Sequence, residues 1–295
     1  MERELHLRLA RFAQKRLRPA LPDEPLQVDE EIRLRTCEAA FVEEERAAVA
    51  QRAADAPGDP NGFVTWFESL RETGPGQGDP LFPWLAERAT LAQMRWFLAQ
   101  EVAGEAGFDD LVALTQVRMP VRAKLELARN YWDEMGRGRA AAMHGPLLSD
   151  LARSVRAEPV LEQTVWESLA LANLMVALAC DRRYAYHSAG ALGAIEMTAP
   201  GRVAHVDRGL ARLGVNKAAR RYFSLHATLD VAHSAAWNRE VLATLVEAEP
   251  RAARAMAEGA LMRLRAGARC FARYRRELAF ASEPTESGQH AGVGP

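Results

Sequence analysis

Apolar residues recur at helical spacing along most of this chain. Between residues 91 and 105, Met94, Phe97, Leu98 and Glu101 fall at i, i+3, i+4 and i+7, the signature of one helix face. From about residue 80 to Phe280 nearly every segment is rich in Ala, Leu, Arg, Glu and Met, which favour helix. No Val/Ile/Thr-rich alternation marks a strand. Residues 1–54 carry amphipathic helical spacing interrupted at Pro19, Pro22 and Pro25. Turn residues predict loops over 56–62 and 74–80. Helices should begin or end near Pro120, Pro146, Pro159, Pro200 and Pro250. The expected class is all-α: a helical extension over 1–79, a helical domain over 80–281, and a polar, disordered tail over 282–295.

Composition narrows the setting. The net charge of -1 gives no general attraction to nucleic acid or to an acidic membrane surface. No charge-free apolar run is long enough for a membrane span, and the opening residues have no apolar leader. Cys37, Cys180 and Cys270 are odd in number and far apart, so they make neither a disulfide framework nor a zinc knuckle. A reducing cytoplasm is the expected location.

The informative positions are ionisable residues on faces that should be buried, because a buried charge needs a partner or a metal. In residues 223–237, His226, Asp230 and His233 lie within about 60° of arc on one helix face, at roughly 100° per residue. Phe223 and Trp237 bracket them, and Leu225, Leu229, Ala232 and Ala236 make a second apolar face. Imidazole and carboxylate together suit iron, manganese or zinc; a satisfied polar network is the alternative. Glu101 lies on the apolar face of its helix with Glu105 one turn further, and a solvated helix end is the other reading. Glu134 shares a face with Leu127 and Tyr131. His144 is ten residues on, about 15 Å along a straight helix. The Gly136-Arg137-Gly138 step offers a break that returns it; otherwise it merely ends a helix. Glu196 interrupts a small apolar run that Pro200 should end, while Gly190 and Gly193 permit close helix approach.

Together these are Glu101, Glu134, His144, Glu196, His226, Asp230 and His233. Four carboxylates match two divalent cations, and carboxylates that can bridge plus a few histidines form a dinuclear ligand set. Ferritin-like sites use two Glu-x-x-His pairs; this chain has one carboxylate-x-x-His pair, Asp230 with His233, and fits that arrangement poorly.

The segments 130–144, 191–196, 209–214 and 222–233, with the order Glu, Glu-x9-His, Glu, His-x3-Asp-x2-His, resemble the haem-oxygenase-like diiron oxidases, also called iron-containing redox enzymes. The resemblance spans roughly residues 80–245. It implies a seven-helix haem-oxygenase-like bundle, two Fe(II)/Fe(III) ions held by the seven residues, O2 as co-substrate, an external electron donor, and a homodimer by fold analogy. Within that diverse family, Glu134, His226 and the thirty-residue spacing from Glu196 to His226 are similar to the N-oxygenases, including those that make 2-nitroimidazole. His226 is also similar to the aminobenzoate synthases. The implied substrate is a small amine, an arylamine or an amino-heterocycle such as 2-aminoimidazole, oxidised to hydroxylamine or nitro product. Oxidative decarboxylation or C–C cleavage of an amino or fatty acid is the alternative; Arg95, Arg183 or Arg212 would anchor the acid. A metal-free scaffold or a cofactor-less or thiol hydrolase on the same fold is the third.

Tyr131, Trp132, Tyr222, Phe223 and Trp237 are candidates for pocket walls or plain packing. Among the remaining histidines, His6 and His290 are expected in flexible ends, His205 in a loop and His187 in a structural role.

Overall fold

The computed structural model describes residues 2–21, 23–24, 27–105 and 107–278, for Val231 the backbone only. The expected tail over 282–295 lies outside them. The described residues form helices and no strand: α1 (Glu2–Leu17), α2 (Val28–Ala53), α3 (Pro60–Thr73), α4 (Leu81–Glu87), α5 (Leu91–Glu105), α6 (Phe108–Thr115), α7 (Val121–Glu134), α8 (His144–Val155), α9 (Trp166–Cys180), α10 (Ala185–Arg212), α11 (Arg221–Ala236), α12 (Ala243–Ala248) and α13 (Ala252–Glu277). A π-turn over Trp237–Leu242 joins α11 to α12.

Two helices form the interior. Helix α9 is apolar on all sides and buried almost throughout, as a central helix must be. Helix α10 packs against α4, α11 and α13. Its crossing with α13 is close because each helix places a glycine against the other's backbone. A Cβ on Gly190 would stand 1.9 Å from the Met256 carbonyl oxygen, and one on Gly259 1.9 Å from that of His187. Gly193, one turn on, lies under the Trp237 indole, whose N–H donates to the Ala189 carbonyl at 3.1 Å.

Helices α1, α2 and α3 pack onto α9, α13 and α12 respectively. Their Leu9, Phe41 and Phe67 belong to the same apolar core as Leu192 and Met256. His6 is therefore not in a flexible end. It is 1% exposed, stacks on Trp166 and meets the Phe41 edge, and its carbonyl accepts from Asn173.

Pro120 precedes α7, Pro146 occupies the first turn of α8, Pro159 lies between α8 and α9, and Pro250 separates α12 from α13. Pro200 departs from the expectation: α10 runs through it. An internal proline removes a backbone hydrogen bond, here to the carbonyl of residue 196, at a cost of about 3 kcal/mol. Burial on both sides of it, of Met197 before and Val206 and Leu210 after, contributes about 1.5–3 kcal/mol per side chain and offsets the loss. His205 is consequently helical, not in a loop. The second apolar face of α11 also departs from expectation. Leu225, Leu229 and Ala236 are only half-buried and Ala232 is exposed, because the neighbours of α11 lie on its histidine side.

Candidate metal centre

Helix α7 ends at Glu134, and the chain reverses at once. Gly136, Arg137 and Gly138 all have positive φ, and the reversal delivers His144 to the first turn of α8. A Cβ on Gly136 would lie 2.4 Å from the Ala142 carbonyl carbon, so only glycine fits there. The ten-residue gap is thereby closed: His144 Nδ1 is 2.7 Å from Glu134 Oε2.

Helix α11 presents His226, Asp230 and His233 on one buried face. The His226 Nδ1–H donates to the Tyr222 carbonyl at 2.8 Å. Its Nε2 then looks toward Glu134, 4.0 Å from Oε1, and its ring meets that of His144 edge-on. His233 Nε2 is 3.1 Å from Asp133 Oδ2, while Nδ1 faces Glu196 Oε2 at 3.5 Å. Glu196 comes from α10, and Asn130 Nδ2 donates to its other oxygen at 2.6 Å.

Two trios result: Glu134, His144 and His226, and Glu134, Glu196 and His233. In each, donor atoms lie within 4.8 Å of one another and all the residues are buried. Glu134 belongs to both. His144 Nδ1 and Glu196 Oε2 are buried and face Glu134 Oε2 and His233 Nδ1 respectively, in neither case with the geometry of a well-formed hydrogen bond. Interior donor atoms that face one another without good hydrogen bonds cost free energy, and a bound cation between them removes that cost. Mixed imidazole and carboxylate donors suit iron, manganese or zinc, so these residues fit a metal.

The electrostatics agree. Burial, reinforced by Glu196, pushes the Glu134 carboxyl well above the usual range. Burial and the Glu196 and Glu134 charges raise Asp230 to about 9. Burial lowers His144 and His226 to about 4 each, helped by the histidine neighbours His233 and His144 respectively. Burial also acts to lower His233, but Glu196 and Asp133 outweigh it and raise the group to about 9. His144 and His226 are thus neutral, as metal binding requires.

Asp230 shares the face and the field of Glu134 and Glu196 but falls in neither trio. Glu101 also falls in neither. It lines the adjoining cavity, where its charged neighbours are Arg202 and Arg263. Glu105 is bound to the Gly107 and Phe108 backbone N–H groups at 2.8 and 3.1 Å, and its charge reaches Glu134. The cavity is about 140 Å³ and extends from Glu134, Glu196, His226 and Asp230 into an apolar chamber.

Of the five aromatics, Tyr222 and Phe223 line this cavity. Trp237 is core, and Trp132 is half exposed beside Gly138. The three candidate anchors lie elsewhere. Arg95 donates to the Val155 carbonyl, Arg212 to the Ala86 and Ala89 carbonyls, and Arg183 sits at the surface near Glu43. His187 is structural, 3.1 Å from Glu258.

Asn130, Arg202 and Arg263 also belong to this region, and sequence alone marks them only weakly. The signal for Asn130 was its place one turn before Glu134. Arg202 interrupts the stripe Ile195, Ala199, Val206, all cavity residues, and Arg263 interrupts an Ala/Leu/Met run.

The model of the family described as iron-containing redox enzyme, a haem-oxygenase-like family, matches residues 95–268. No curated protein matches the chain. The match covers more than half of the sequence and encloses both trios, and the chain belongs to that family.

Proposed function

We propose that this member of the iron-containing redox enzymes holds two iron ions, one at each trio, and uses dioxygen to oxidise an amine nitrogen of a small substrate. The supporting observation is the sharing of Glu134 between two buried trios. A mononuclear site has no use for the second. Asp230 and either Glu101 or Glu105 are the further carboxylates within the same cavity wall. When bound, a ferrous pair would supply two electrons to O2, and an external electron donor would restore them for each turnover.

The chain's own residues do the rest. Asn130 fixes one oxygen of Glu196 and leaves the other for metal. The Tyr222 carbonyl fixes the His226 tautomer, and Asp133 does the same for His233, the outer-shell pattern typical of metal-bound imidazoles. Phe82, Phe97, Leu171 and Phe271 keep the chamber apolar. Its 140 Å³ is near the roughly 150 Å³ that accommodates benzene, which favours a substrate of one ring over a long acyl chain.

The test is anaerobic loading with ferrous iron, an iron count per chain, and O2 uptake with 2-aminoimidazole and a panel of small amines. Two irons per chain and amine-stimulated uptake are expected, and Glu134→Ala should reduce both irons. One iron at saturation would overturn the dinuclear reading; uptake indifferent to every amine would overturn N-oxygenation. Oxidation of a carboxylic acid is the second reading, favoured by the guanidiniums in the cavity. Uptake driven by acids that lack an amine would select it.

A further inference from the structure

The chamber beside the two trios contains two arginines that the proposed metal chemistry does not use. Arg202 comes from α10 and Arg263 from α13, and both side chains line the cavity. The Arg202 guanidinium carbon lies 6.0 and 5.7 Å from the ring centroids of Phe82 and Phe271. Its contacts are thus aromatic faces, which stabilise a cation by about 0.5–2 kcal/mol. Arg263 Nε is buried with no hydrogen-bond partner. Among the described residues neither guanidinium has a carboxylate at ion-pairing distance. Glu101 is the one acidic group whose field reaches both.

Two other half-buried arginines, whose Nε atoms are likewise without a partner, differ in being paired with carboxylates. Arg16 grips Glu38 through two bonds of 2.9 and 3.0 Å. Arg269 reaches Glu45 at 2.7 Å. Desolvating a cation costs free energy that an adjacent anion offsets, and for these two half-buried, adjacent guanidiniums the only such charge among the described residues whose field reaches both is that of Glu101. Burial and the neighbouring Arg263 even pull Arg202 down to about 10. A planar guanidinium presents a fork of N–H donors that matches carboxylate and phosphate oxygens.

We propose that Arg202 and Arg263 form an oxyanion subsite, so that the substrate carries a carboxylate or phosphate group at the end of the cavity away from the trios. This deepens the preceding reading and rests on it: the oxidised amine and the anion would belong to one small molecule. The aromatic and aliphatic walls between the two ends would hold its apolar middle. Arg202 sits six residues beyond Glu196 on the same helix, so a single element spaces the anion from one trio.

Calorimetric titration of the full chain, both metal-free and iron-loaded, with benzoate, phenylphosphonate and the neutral isostere benzamide tests this. At least one of the two anions is expected to bind tenfold or more tightly than benzamide, about 1.4 kcal/mol; which anion wins identifies the group. Arg202→Gln and Arg263→Gln should each reduce that preference below threefold and leave benzamide affinity unchanged. Thermal melts of both variants establish that they fold. Benzamide binding as tightly as the anions, no binding of any of the three, or full anion preference in both variants would overturn the subsite. The two readings fail separately. Anion preference in a chain that takes up no iron keeps the subsite and removes the metal reading; two irons without anion preference does the reverse.

Discussion

Replacing Gly136 by alanine tests the link between the turn and the metal centre. Two costs can be read from the structure. The residue has φ +61, a left-handed conformation that costs a residue with a side chain about 1–2 kcal/mol. The new Cβ would also stand 2.4 Å from the Ala142 carbonyl carbon and 2.6 Å from the Met143 nitrogen. Real Cβ contacts stay above 3.0 Å, so the strand of chain leading into His144 must retreat by at least about half an ångström, adding a strain of about 1–3 kcal/mol. His144 has only the Glu134 carboxylate opposite its Nδ1, and the retreat moves it away. Gly136→Ala is therefore expected to lower the melting temperature by several degrees and to cut iron occupancy toward one per chain. Gly201→Ala is the control. It lies in α10 with nothing within 4 Å of its Cβ, and it should stabilise by roughly 0.5–1 kcal/mol. Melting curves and elemental iron on both proteins make the comparison. Wild-type melting and two irons in Gly136→Ala would refute the argument.

Two further perturbations bear on the same centre. Asp133→Asn removes the carboxylate acceptor of His233 Nε2 and should weaken iron binding tenfold to a hundredfold; an unchanged affinity in competition with a chelator would show that Asp133 does not orient the ring. The second perturbation is pH. Asp230 and His233 are both held to about 9, so iron loading at pH 7 should release at least one proton per chain, which a pH-indicator dye reads. Folded values raised above the unfolded ones mean stability present at low pH and lost as pH rises through about 9. The metal-free protein should accordingly melt lower at pH 10 than at pH 7, and a flat profile would contradict these assignments.

Much of this centre was legible because burial and spacing act locally. The His226, Asp230, His233 stripe follows from helical geometry alone, and the structure keeps it on one buried face. The return of His144 toward Glu134 was suggested by two glycines, and the turn they make is present. Three features escaped for physical reasons. Local propensity makes Pro200 a stop because it takes no account of burial on both sides. Sequence alone puts His6 in a loose end because its pocket, Phe41 and Trp166, comes from distant sequence. Arg202 and Arg263 were passed over because arginines on helices are mostly solvated, and only the tertiary contacts place these two against a cavity.

Pro200 has one more consequence. Without an N–H at that position, the carbonyl of residue 196 loses its acceptor role within the ladder of α10. The hydrogen-bond ladder of α10 is thereby interrupted between two segments of one continuous helix. The first segment, locked to α13 by Gly190 and to Trp237 by Gly193, carries Glu196. The second, fastened to the end of α4 by Arg212, carries Arg202. One helix thus carries the metal-facing carboxylate and the guanidinium on either side of the lost hydrogen bond, each segment held by its own anchors.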